Sequence, residues 1–311
     1  MEIVVYDFAI VGAGISGLNI GWKLHSLKSS VLILEKSKSC GGRMATRRIG
    51  ESKFDHGAQF IKRSEASESL MEFWSSKNIL EKFPIADNDF YFGTGGMTRL
   101  TKEISQNLNI KYNSKVTTLK KTDQGLKLIL DNGESIVSKH VILSCPLPQS
   151  IELLKHSEIA FDSRLENVNY SKSIVNLISV QHPLLENLKF VENFNKDIYS
   201  ICSQQIKGLS IDYSYAIVMS DEWSETNFPL PDDEIKEKSM AVLKSNFGSI
   251  NVSDFQIKKW RYCQPTSTWP ELYHQPQENI YLVGDAFGGA SVNGALRSAD
   301  HVFKIISKKL I

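Results

Sequence analysis

The hydrophobic pattern at the start of the chain changes from a strand-like run to a helical spacing and back. The apolar run Phe8–Val11 comes first, and a second apolar run, Val31–Leu34, ends at Glu35. Between the two runs, apolar residues recur at the spacing of one helix face, at Ile15, Leu18, Trp22 and Leu24. The pattern predicts a strand, a helix and a second strand, which together form a βαβ unit.

The middle and the end of the chain add further strand signals. From Ile110 onward the pattern indicates a β-meander with a hairpin turn at Asp131-Asn132-Gly133, and the apolar run His140–Cys145 then returns to the core sheet. A strand over Asn279–Val283 precedes Gly284-Asp285 and a helix from Asn293 to about Lys309. A second strand–glycine–helix unit so far from the first predicts a fold closed by both chain ends.

The stretches between these units have a different character. The spacing predicts helices over residues 64–80, with Ser64 as N-cap, and over residues 97–107, although a plain hairpin or loop remains an alternative around the second. Residues 151–273 mix strands at 173–178 and 215–219 with a helix near 232–246, for which Asp232 is the expected cap. This mixture predicts an α+β domain on the substrate side.

Composition and charge exclude several classes of function. The 311 residues carry a formal net charge of +1, which does not favour nucleic acid or an anionic membrane surface as a partner. The apolar runs are only strand-length, so we expect no membrane span, and no basic segment typical of a signal peptide precedes the first. The cysteines and histidines are scattered without zinc spacing, so we expect no metal site and a reducing, cytoplasmic location. Oligomeric state stays open.

Three glycines follow the first strand in the order G-x-G-x-x-G. Gly12 permits the tight turn, Gly14 lets a pyrophosphate approach the backbone, and Gly17 lets the helix pack closely on the strand. Glu35 lies about twenty residues further on, where a dinucleotide-binding fold needs an acceptor for ribose hydroxyls. The pattern therefore predicts a dinucleotide site, with an ordinary βαβ unit and a packing-driven glycine turn as the alternative.

Other positions extend this prediction. Arg43 follows Gly41-Gly42 and supplies a cation for phosphates, with a surface ion pair as the alternative. The small residues Gly57-Ala58 can pass flat against an aromatic cofactor, with Gln59 as a neutral hydrogen-bonding group beside it. Asp285 can accept a hydrogen bond from a ribityl hydroxyl, although an N-cap or turn role is the alternative. The helix that begins near Asn293 directs its positive end toward developing negative charge on a reduced flavin.

The motifs together point to a known family. The combination of VGAGISG, Glu35, GGRMATRR, DHGAQF and LVGDAFGGASVNGALRSA resembles the flavin-dependent amine-oxidase superfamily. Within it, GGRM followed closely by D-x-G-A-Q-F, the short chain and the W-R-Y strand resemble renalase and its bacterial relatives. The resemblance covers nearly the whole chain.

The resemblance implies an α/β fold with a Rossmann-like, three-layer FAD-binding domain of the p-hydroxybenzoate-hydroxylase type and a second, α+β substrate domain. We expect the FAD-binding domain at residues 1–62, 93–150 and 275–311, and the substrate domain at residues 63–92 and 151–274. Monoamine oxidases carry a cysteine for covalent flavin near the C-terminal motif. Residues 284–289 contain none, so non-covalent FAD is expected.

The resemblance also assigns cofactor contacts by position. It implies that Ser16 and the surrounding residues hold the pyrophosphate, Glu35 the adenosine ribose, and Val116 the adenine through its backbone. Ala58 and Gln59 would lie by the isoalloxazine, and Asp285 with Gly294-Ala295-Leu296 would meet ribityl and ring oxygens. The full implied set is Gly12, Ala13, Gly14, Ser16, Gly17, Glu35, Lys36, Arg43, Met44, Ala58, Gln59, Val116, Gly284, Asp285, Gly294, Ala295 and Leu296.

For the reaction, we hypothesise hydride transfer from a small reduced substrate to flavin N5, followed by reoxidation with molecular oxygen to give hydrogen peroxide. The resemblance to renalase implies an NAD(P)H isomer as substrate. No acid or base is assigned, and the candidate substrate-lining residues are Gln59, Tyr213, Trp260, Tyr262 and Trp269, with core packing as the alternative for the aromatic ones. Other hypotheses are an oxidase or desaturase acting on amines or lipids, and a non-enzymatic escort of the same fold.

Overall fold

The computed structural model describes residues 4–85 and 89–310, and this part forms eighteen strands and eight α-helices. The strands are β1 (Val5–Val11), β2 (Val31–Leu34), β3 (Thr46–Ile49), β4 (Ser52–Asp55), β5 (Ile61–Lys62), β6 (Leu80–Lys82), β7 (Phe90–Gly93), β8 (Ile110–Lys111), β9 (Val116–Thr122), β10 (Gly125–Leu130), β11 (Ser135–Leu143), β12 (Ser173–Val180), β13 (Phe190–Glu192), β14 (Ile198–Ser203), β15 (Tyr213–Met219), β16 (Val252–Trp260), β17 (His274–Gln277) and β18 (Ile280–Leu282). The helices are α1 (Ile15–Ser26), α2 (Glu68–Ser76), α3 (Met97–Ser105), α4 (Leu147–His156), α5 (Asp221–Asn227), α6 (Asp232–Phe247), α7 (Asp285–Gly288) and α8 (Val292–Leu310).

A parallel sheet forms the centre of the first unit. Its strand order is β18–β11–β1–β2–β8, with β17 antiparallel to β18 at one edge. The first part of β11 pairs antiparallel with β10, which pairs with β9, so the predicted meander runs directly into the core sheet. The predicted βαβ unit is β1–α1–β2, and β18 brings the end of the chain into the same sheet, as predicted.

Three layers enclose the core of this unit. Successive side chains of a strand point to opposite faces, so Phe8 and Ile10 of β1 pack with residues of α1, α3 and α8. Ala9 packs on the other face against the meander and α4. The arrangement of helices, parallel sheet and meander is the predicted three-layer α/β fold.

The second unit is built on an antiparallel sheet in the order β13–β14–β15–β12–β16. All eight residues of β12 are buried, because both faces of this strand are covered. Ile174 and Ile178 pack with α6 on one face, and Val175 and Leu177 pack with the β3–β4 hairpin on the other. The α+β character predicted for this region is confirmed.

Some predicted boundaries differ from the structure. Helix α2 begins at Glu68, because Ser64 and Ser67 form a hydrogen-bonded turn before it, in which the Ser64 amide donates to Ser67 Oγ at 2.9 Å. Asp232 is the first residue of α6 and Pro231 occupies the cap position, so the predicted cap is wrong. The domain boundaries stay a prediction, and residues 1–3, 86–88 and 311 within them lie outside the described residues.

Candidate functional site

The candidate site lies at the edge of the parallel sheet where the strands end. Gly12, Glu35 and Ser144 directly follow β1, β2 and β11, and Gly284 is the second residue after β18. Because parallel strands end at a common edge, these four residues from distant parts of the chain lie side by side. Open α/β sheets bind their ligands in the crevice outside this edge.

The three glycines of the first motif have distinct surroundings. Gly12 has a φ of +106°, which favours glycine, and Ser144 Oγ lies against it, donating to the Val11 and Gly12 carbonyl oxygens. A Cβ at Gly17 would collide with the Gly12 carbonyl oxygen, so Gly17 allows the close packing of helix on strand. A Cβ at Gly14 would meet no atom within 4 Å, so open space faces this residue.

Glu35 is held at the same turn by backbone amides. Its Oε2 accepts from the Ala13 amide at 2.8 Å, and its Oε1 accepts from the Ser37 amide at 2.8 Å. A carboxylate has about four lone-pair positions, so these two bonds leave acceptor capacity for ligand hydroxyls. The structure therefore places a fixed carboxylate beside the first turn of α1.

Arg43 and Asp285 form a bidentate ion pair at this edge. Arg43 Nη2 donates to Asp285 Oδ1 at 2.8 Å, and Nη1 donates both to Asp285 Oδ2 and, at 2.9 Å, to the Cys263 carbonyl. Tyr170 donates to Asp285 Oδ1 at 3.0 Å. Burial alone lowers the pKa of Arg43, but the Asp285 carboxylate outweighs this effect and the pKa is raised. Burial and Asp285 likewise raise the pKa of Tyr170, so both groups keep their protons.

The turn that contains Gly57 and Ala58 packs on the loop of Arg43. The Ala58 amide donates to the Arg43 carbonyl at 2.9 Å, and a Cβ at Gly57 would collide with that same oxygen. The His56 amide donates to the Ala45 carbonyl at 3.1 Å. The two predicted cofactor segments are therefore neighbours, although they are separate in sequence.

A buried polar network lies behind this turn. Lys207 and Asp55 form an ion pair at 2.8 Å in which neither side chain is exposed. Lys207 Nζ also donates to Gln59 Oε1 at 2.9 Å, and Gln59 Nε2 donates to the Asp55 carbonyl at 2.6 Å. The amide group of Gln59 is therefore held by hydrogen bonds within the protein, and its position beside the cofactor stays a prediction.

His56 and Trp260 form an aromatic stack next to the same turn, which His56 directly precedes. Their ring centroids lie 5.3 Å apart with an interplanar angle of 21°, and Trp260 Nε1 donates to the His56 carbonyl at 2.7 Å. Burial, followed by the charge of Lys258, lowers the pKa of His56 to about 4. The imidazole is therefore neutral near pH 7 and is a weak base.

The C-terminal motif lies at the same edge of the sheet, beside the first turn of α1. Gly284 has a φ of +141°, and a Cβ on it would meet no atom within 4 Å. A Cβ at Gly288 or Gly294 would collide with backbone, so the α7–α8 corner is closely packed. Ser16 Oγ donates to the Ala295 carbonyl at 2.9 Å, which ties the first turn of α1 to the first turn of α8.

The remaining predicted cofactor residues lie in varied surroundings. Val116 is buried two residues after Ser114, whose amide donates to the Glu35 carbonyl at 2.9 Å. Lys36 is exposed and contacts Gln149 of α4. The side chains of Met44 and Leu296 belong to the hydrophobic core, so only their backbone can face a ligand.

The candidate substrate-lining residues do not all meet. Trp260 pairs with Ser173 at one end of β12, and Tyr213 pairs with Val180 at the other end, about 24 Å away at 3.4 Å per residue. Tyr262 lies near the Arg43–Asp285 pair, in an edge contact with Tyr170 at 6.0 Å. Trp269 is a core residue of the meander layer. Trp260 and Tyr262 thus lie at the candidate site, and Tyr213 does not share it with them.

Sequence reasoning missed three residues of this site. His56 stands inside the D-H-G-A-Q-F motif, and its position there was the available signal. Tyr170 and Lys207 lie in stretches without a motif, and only the fold brings them to Asp285 and Asp55.

The residues present fit a flavin dinucleotide. The open space at Gly14 and Gly284 admits backbone-close ligand atoms at two strand ends. Gly14 caps α1 without a side-chain hydrogen bond, so amides of the first helical turn can bind phosphate oxygens. Glu35 supplies the acceptor for ribose hydroxyls. The site can therefore bind a dinucleotide along its length.

Comparison with known proteins agrees with this geometry. The model of the family described as flavin containing amine oxidoreductase matches residues 74–302, and the model of the NAD(P)-binding Rossmann-like domain matches residues 10–76. Among solved structures, a proposed protoporphyrinogen oxidase from Exiguobacterium sp. 255-15 is similar, with a TM-score of 0.80 and 14% identity over 99% of this chain and 100% of that one.

Two further structures show the same fold. Wild-type putrescine oxidase bound to putrescine has a TM-score of 0.68 and 14% identity, over 99% of this chain and 100% of that one. An oxidoreductase from Methanosarcina mazei has a TM-score of 0.68 and 12% identity, over 96% and 99%. Within residues 4–85 and 89–310, no helix is long and apolar enough to cross a membrane.

Proposed function

The chain belongs to the flavin containing amine oxidoreductase family and is an FAD-dependent oxidoreductase, and from that premise we propose that it oxidises a dihydronicotinamide of the renalase type. The substrate donates a hydride, and molecular oxygen is the final electron acceptor. Bound FAD would supply the redox chemistry, as acceptor of the hydride at N5 and as donor of the electrons that convert oxygen to hydrogen peroxide.

The observation that carries this proposal is the state of the titratable groups around the Asp55–Gln59 turn. Asp55 is tied to Lys207 in a fully buried pair, and Asp285 is tied to Arg43 and Tyr170. His56 is neutral, and its pKa of about 4 makes it a weak base. Among these described groups none is both free and basic enough to take a proton from a substrate efficiently.

A dihydronicotinamide needs no such group. Loss of a hydride turns its ring into an aromatic pyridinium, so the reaction releases no proton that the protein must accept. A protonated amine must lose a proton before it can donate a hydride, and it gains from an apolar aromatic lining. The groups at this turn therefore favour the dihydronicotinamide, while the residues of the turn position the ring and exclude water.

We propose that FAD is held without a covalent bond. The backbone at Gly14 and Gly284, the first turn of α1 and the Glu35 carboxylate bind it, together with the other positions that the resemblance assigned. Residues 284–289, which comprise helix α7 and the glycine on either side of it, contain no cysteine. Trp260 and Tyr262 would line the substrate side.

Amine oxidation is the second candidate, since putrescine oxidase shares the fold. Anaerobic mixing separates the two. We expect NAD(P)H isomers generated by borohydride to reduce the flavin, so that its visible absorbance is lost on mixing. We expect putrescine to leave this absorbance unchanged. Bleaching by the amine, with the isomers inert, would overturn the proposal.

A further inference from the structure

Two cations lie along the seam between the β3–β4 hairpin and the five-stranded sheet, and the proposed function does not use them. Arg47 pairs with Phe54 across the hairpin, so both side chains lie on the same hairpin face. Phe54 on that face packs against Val175 and Leu177 of β12. Arg47 is exposed and therefore lies at the rim of this seam.

Lys258 reaches the seam from the sheet. It lies two residues before Trp260 on β16, so the two side chains share a face of the strand. Its ammonium lies 5.3 Å from the centre of the Trp260 ring. Lys258 also pairs with Val175, whose side chain packs in the same cluster as Phe54.

Both cations act on His56. The His56 amide donates to the Ala45 carbonyl at 3.1 Å and its ring stacks on Trp260 at 5.3 Å, so His56 lies beside the two strands that carry the cations. The charges of Lys258 and Arg47 lower the pKa of His56, and the charge of Asp55 opposes them. Among the described residues, no carboxylate lies within salt-bridge distance of Arg47 or Lys258. His56 is only 6% exposed, and its Nδ1 is buried without a hydrogen-bond partner. Buried polar atoms are nearly always paired, so this one points to a ligand.

We propose that Arg47, Lys258 and His56 form a subsite for the diphosphate bridge of a dinucleotide substrate. This inference rests on the proposed function and adds the part of the substrate that the protein recognises beyond the reacting ring. Arg47 offers a planar fork that matches phosphate oxygens, and Lys258 offers a point charge. A neutral imidazole can donate one hydrogen bond to the same anion.

The position of the subsite fits the shape of a dinucleotide. The stack of His56 and Trp260 adjoins the Gly57-Ala58 turn, where the reacting rings are proposed to lie. In a nicotinamide dinucleotide one ribose separates the ring from the diphosphate, so the anion falls at the rim of the ring site. Two unpaired cations at this rim attract the anionic substrate and repel a cationic amine.

Binding of the oxidised product tests the inference directly. Calorimetric titration of the flavin-loaded protein compares NAD⁺, which has the diphosphate, with nicotinamide riboside, which lacks it. We expect tighter binding of NAD⁺, and we expect Arg47→Gln and Lys258→Gln each to weaken it by about tenfold or more. Higher salt should weaken NAD⁺ binding but should not weaken binding of the riboside, because the riboside is a cation and salt screens its repulsion from Arg47 and Lys258.

Arg48→Gln is the matched control. Arg48 lies next to Arg47 but pairs with Lys53 on the opposite face of the hairpin, so NAD⁺ binding should not change. Equal affinity for NAD⁺ and the riboside, or equal effects of the Arg47 and Arg48 variants, would overturn the subsite.

Kinetics separate this inference from the proposed function. With the reduced isomers, the ratio of kcat/KM for the dinucleotide to that for the riboside should fall in the Arg47 and Lys258 variants only. Oxidation of both substrates with an unchanged ratio would overturn the subsite and leave the function intact. Failure to oxidise either substrate would overturn the function, and the NAD⁺ titration would then decide the subsite by itself.

Discussion

Arg43 and Asp285 lie 242 positions apart in the chain and form a bidentate ion pair at the candidate site. The pair joins the loop between β2 and β3 to the first residue of α7, so it links the first βαβ unit to the segment that follows β18. Tyr170 adds a third bond to the same carboxylate. The two residues that the sequence suggested as separate cofactor contacts therefore also form one structural unit.

Replacement of Asp285 by Asn should destabilise the protein and weaken flavin binding. The substitution removes the negative charge that faces the partly exposed Arg43 and should cost about 1–3 kcal/mol. Thermal unfolding with and without added FAD measures both effects. Asp162→Asn, which alters an exposed ion pair with Arg164, is the control and should leave the melting temperature nearly unchanged. An unaltered melting temperature for Asp285→Asn would contradict the structural role.

Gly14→Ala and Gly17→Ala should separate ligand binding from folding. A methyl group at Gly14 meets no protein atom, so the variant should unfold at the same temperature as the parent without flavin but bind FAD more than about tenfold more weakly. A methyl group at Gly17 collides with the Gly12 carbonyl, so that variant should be destabilised itself. Flavin fluorescence titration and thermal unfolding give the two readouts. Normal FAD affinity in Gly14→Ala would show that the open space is not the binding site.

Lys207→Met should be strongly destabilising, because it leaves the Asp55 carboxylate buried without its cation. Loss of one partner of a buried pair costs about 3–5 kcal/mol. The double variant Lys207→Met/Asp55→Asn should lose less than the sum of the two single variants, since it removes both charges. Urea unfolding of the four proteins completes the cycle. Strictly additive losses would mean that the pair does not interact.

His56 should make stability depend on pH between about 6.5 and 4. Its pKa is lowered to about 4 in the folded protein, first by burial and then by Lys258, from 6.5. Between these values the unfolded chain binds the proton and the folded chain does not, so stability falls as pH falls, by up to about 3 kcal/mol. The stabilisation is fully present above pH 6.5.

The unfolding free energy of His56→Gln, measured across this range, should vary less steeply with pH than that of the parent. His25→Gln changes an exposed residue of α1 and serves as the control for removal of a histidine. Parallel curves for the parent and His56→Gln would show that His56 does not cause the dependence.

Acid precipitation should release the flavin from the protein. Non-covalent FAD appears in the supernatant after the protein is removed, whereas a thioether-linked flavin stays in the pellet. Comparison of flavin absorbance in the two fractions gives the answer. Flavin that remains with the protein would point to one of the four cysteines as an attachment site.

Local signals in the sequence were sufficient for the elements around the glycines. The apolar runs and the helical spacing predicted β1, α1 and β2 because each is decided by neighbours within a few residues, and the Asp131–Gly133 turn predicted the β10–β11 hairpin for the same reason. The start of α2 was wrong because a serine turn competes with helix there. Such side-chain to backbone bonds are not visible in a hydrophobic pattern.

The long-range contacts of the site left no such signal. Lys207 stands 152 positions from Asp55, and nothing around it marks it as a buried ion-pair partner. The position of Tyr213 relative to Trp260 depends on the register of β15 and β16 on β12, which pattern alone does not fix. Of the aromatic residues that the sequence suggested as a substrate lining, the fold therefore places only some at one site.

The bond from Ser16 to the Ala295 carbonyl has a consequence for biosynthesis. The two residues are 279 positions apart, so at about 5–20 residues per second a ribosome needs roughly 14–56 s to reach the second after the first. During that interval the nascent βαβ unit lacks α8 and β18, and the part of α1 that packs on α8 is uncovered. We therefore expect chaperones that bind exposed apolar surface during translation to aid the folding of this protein.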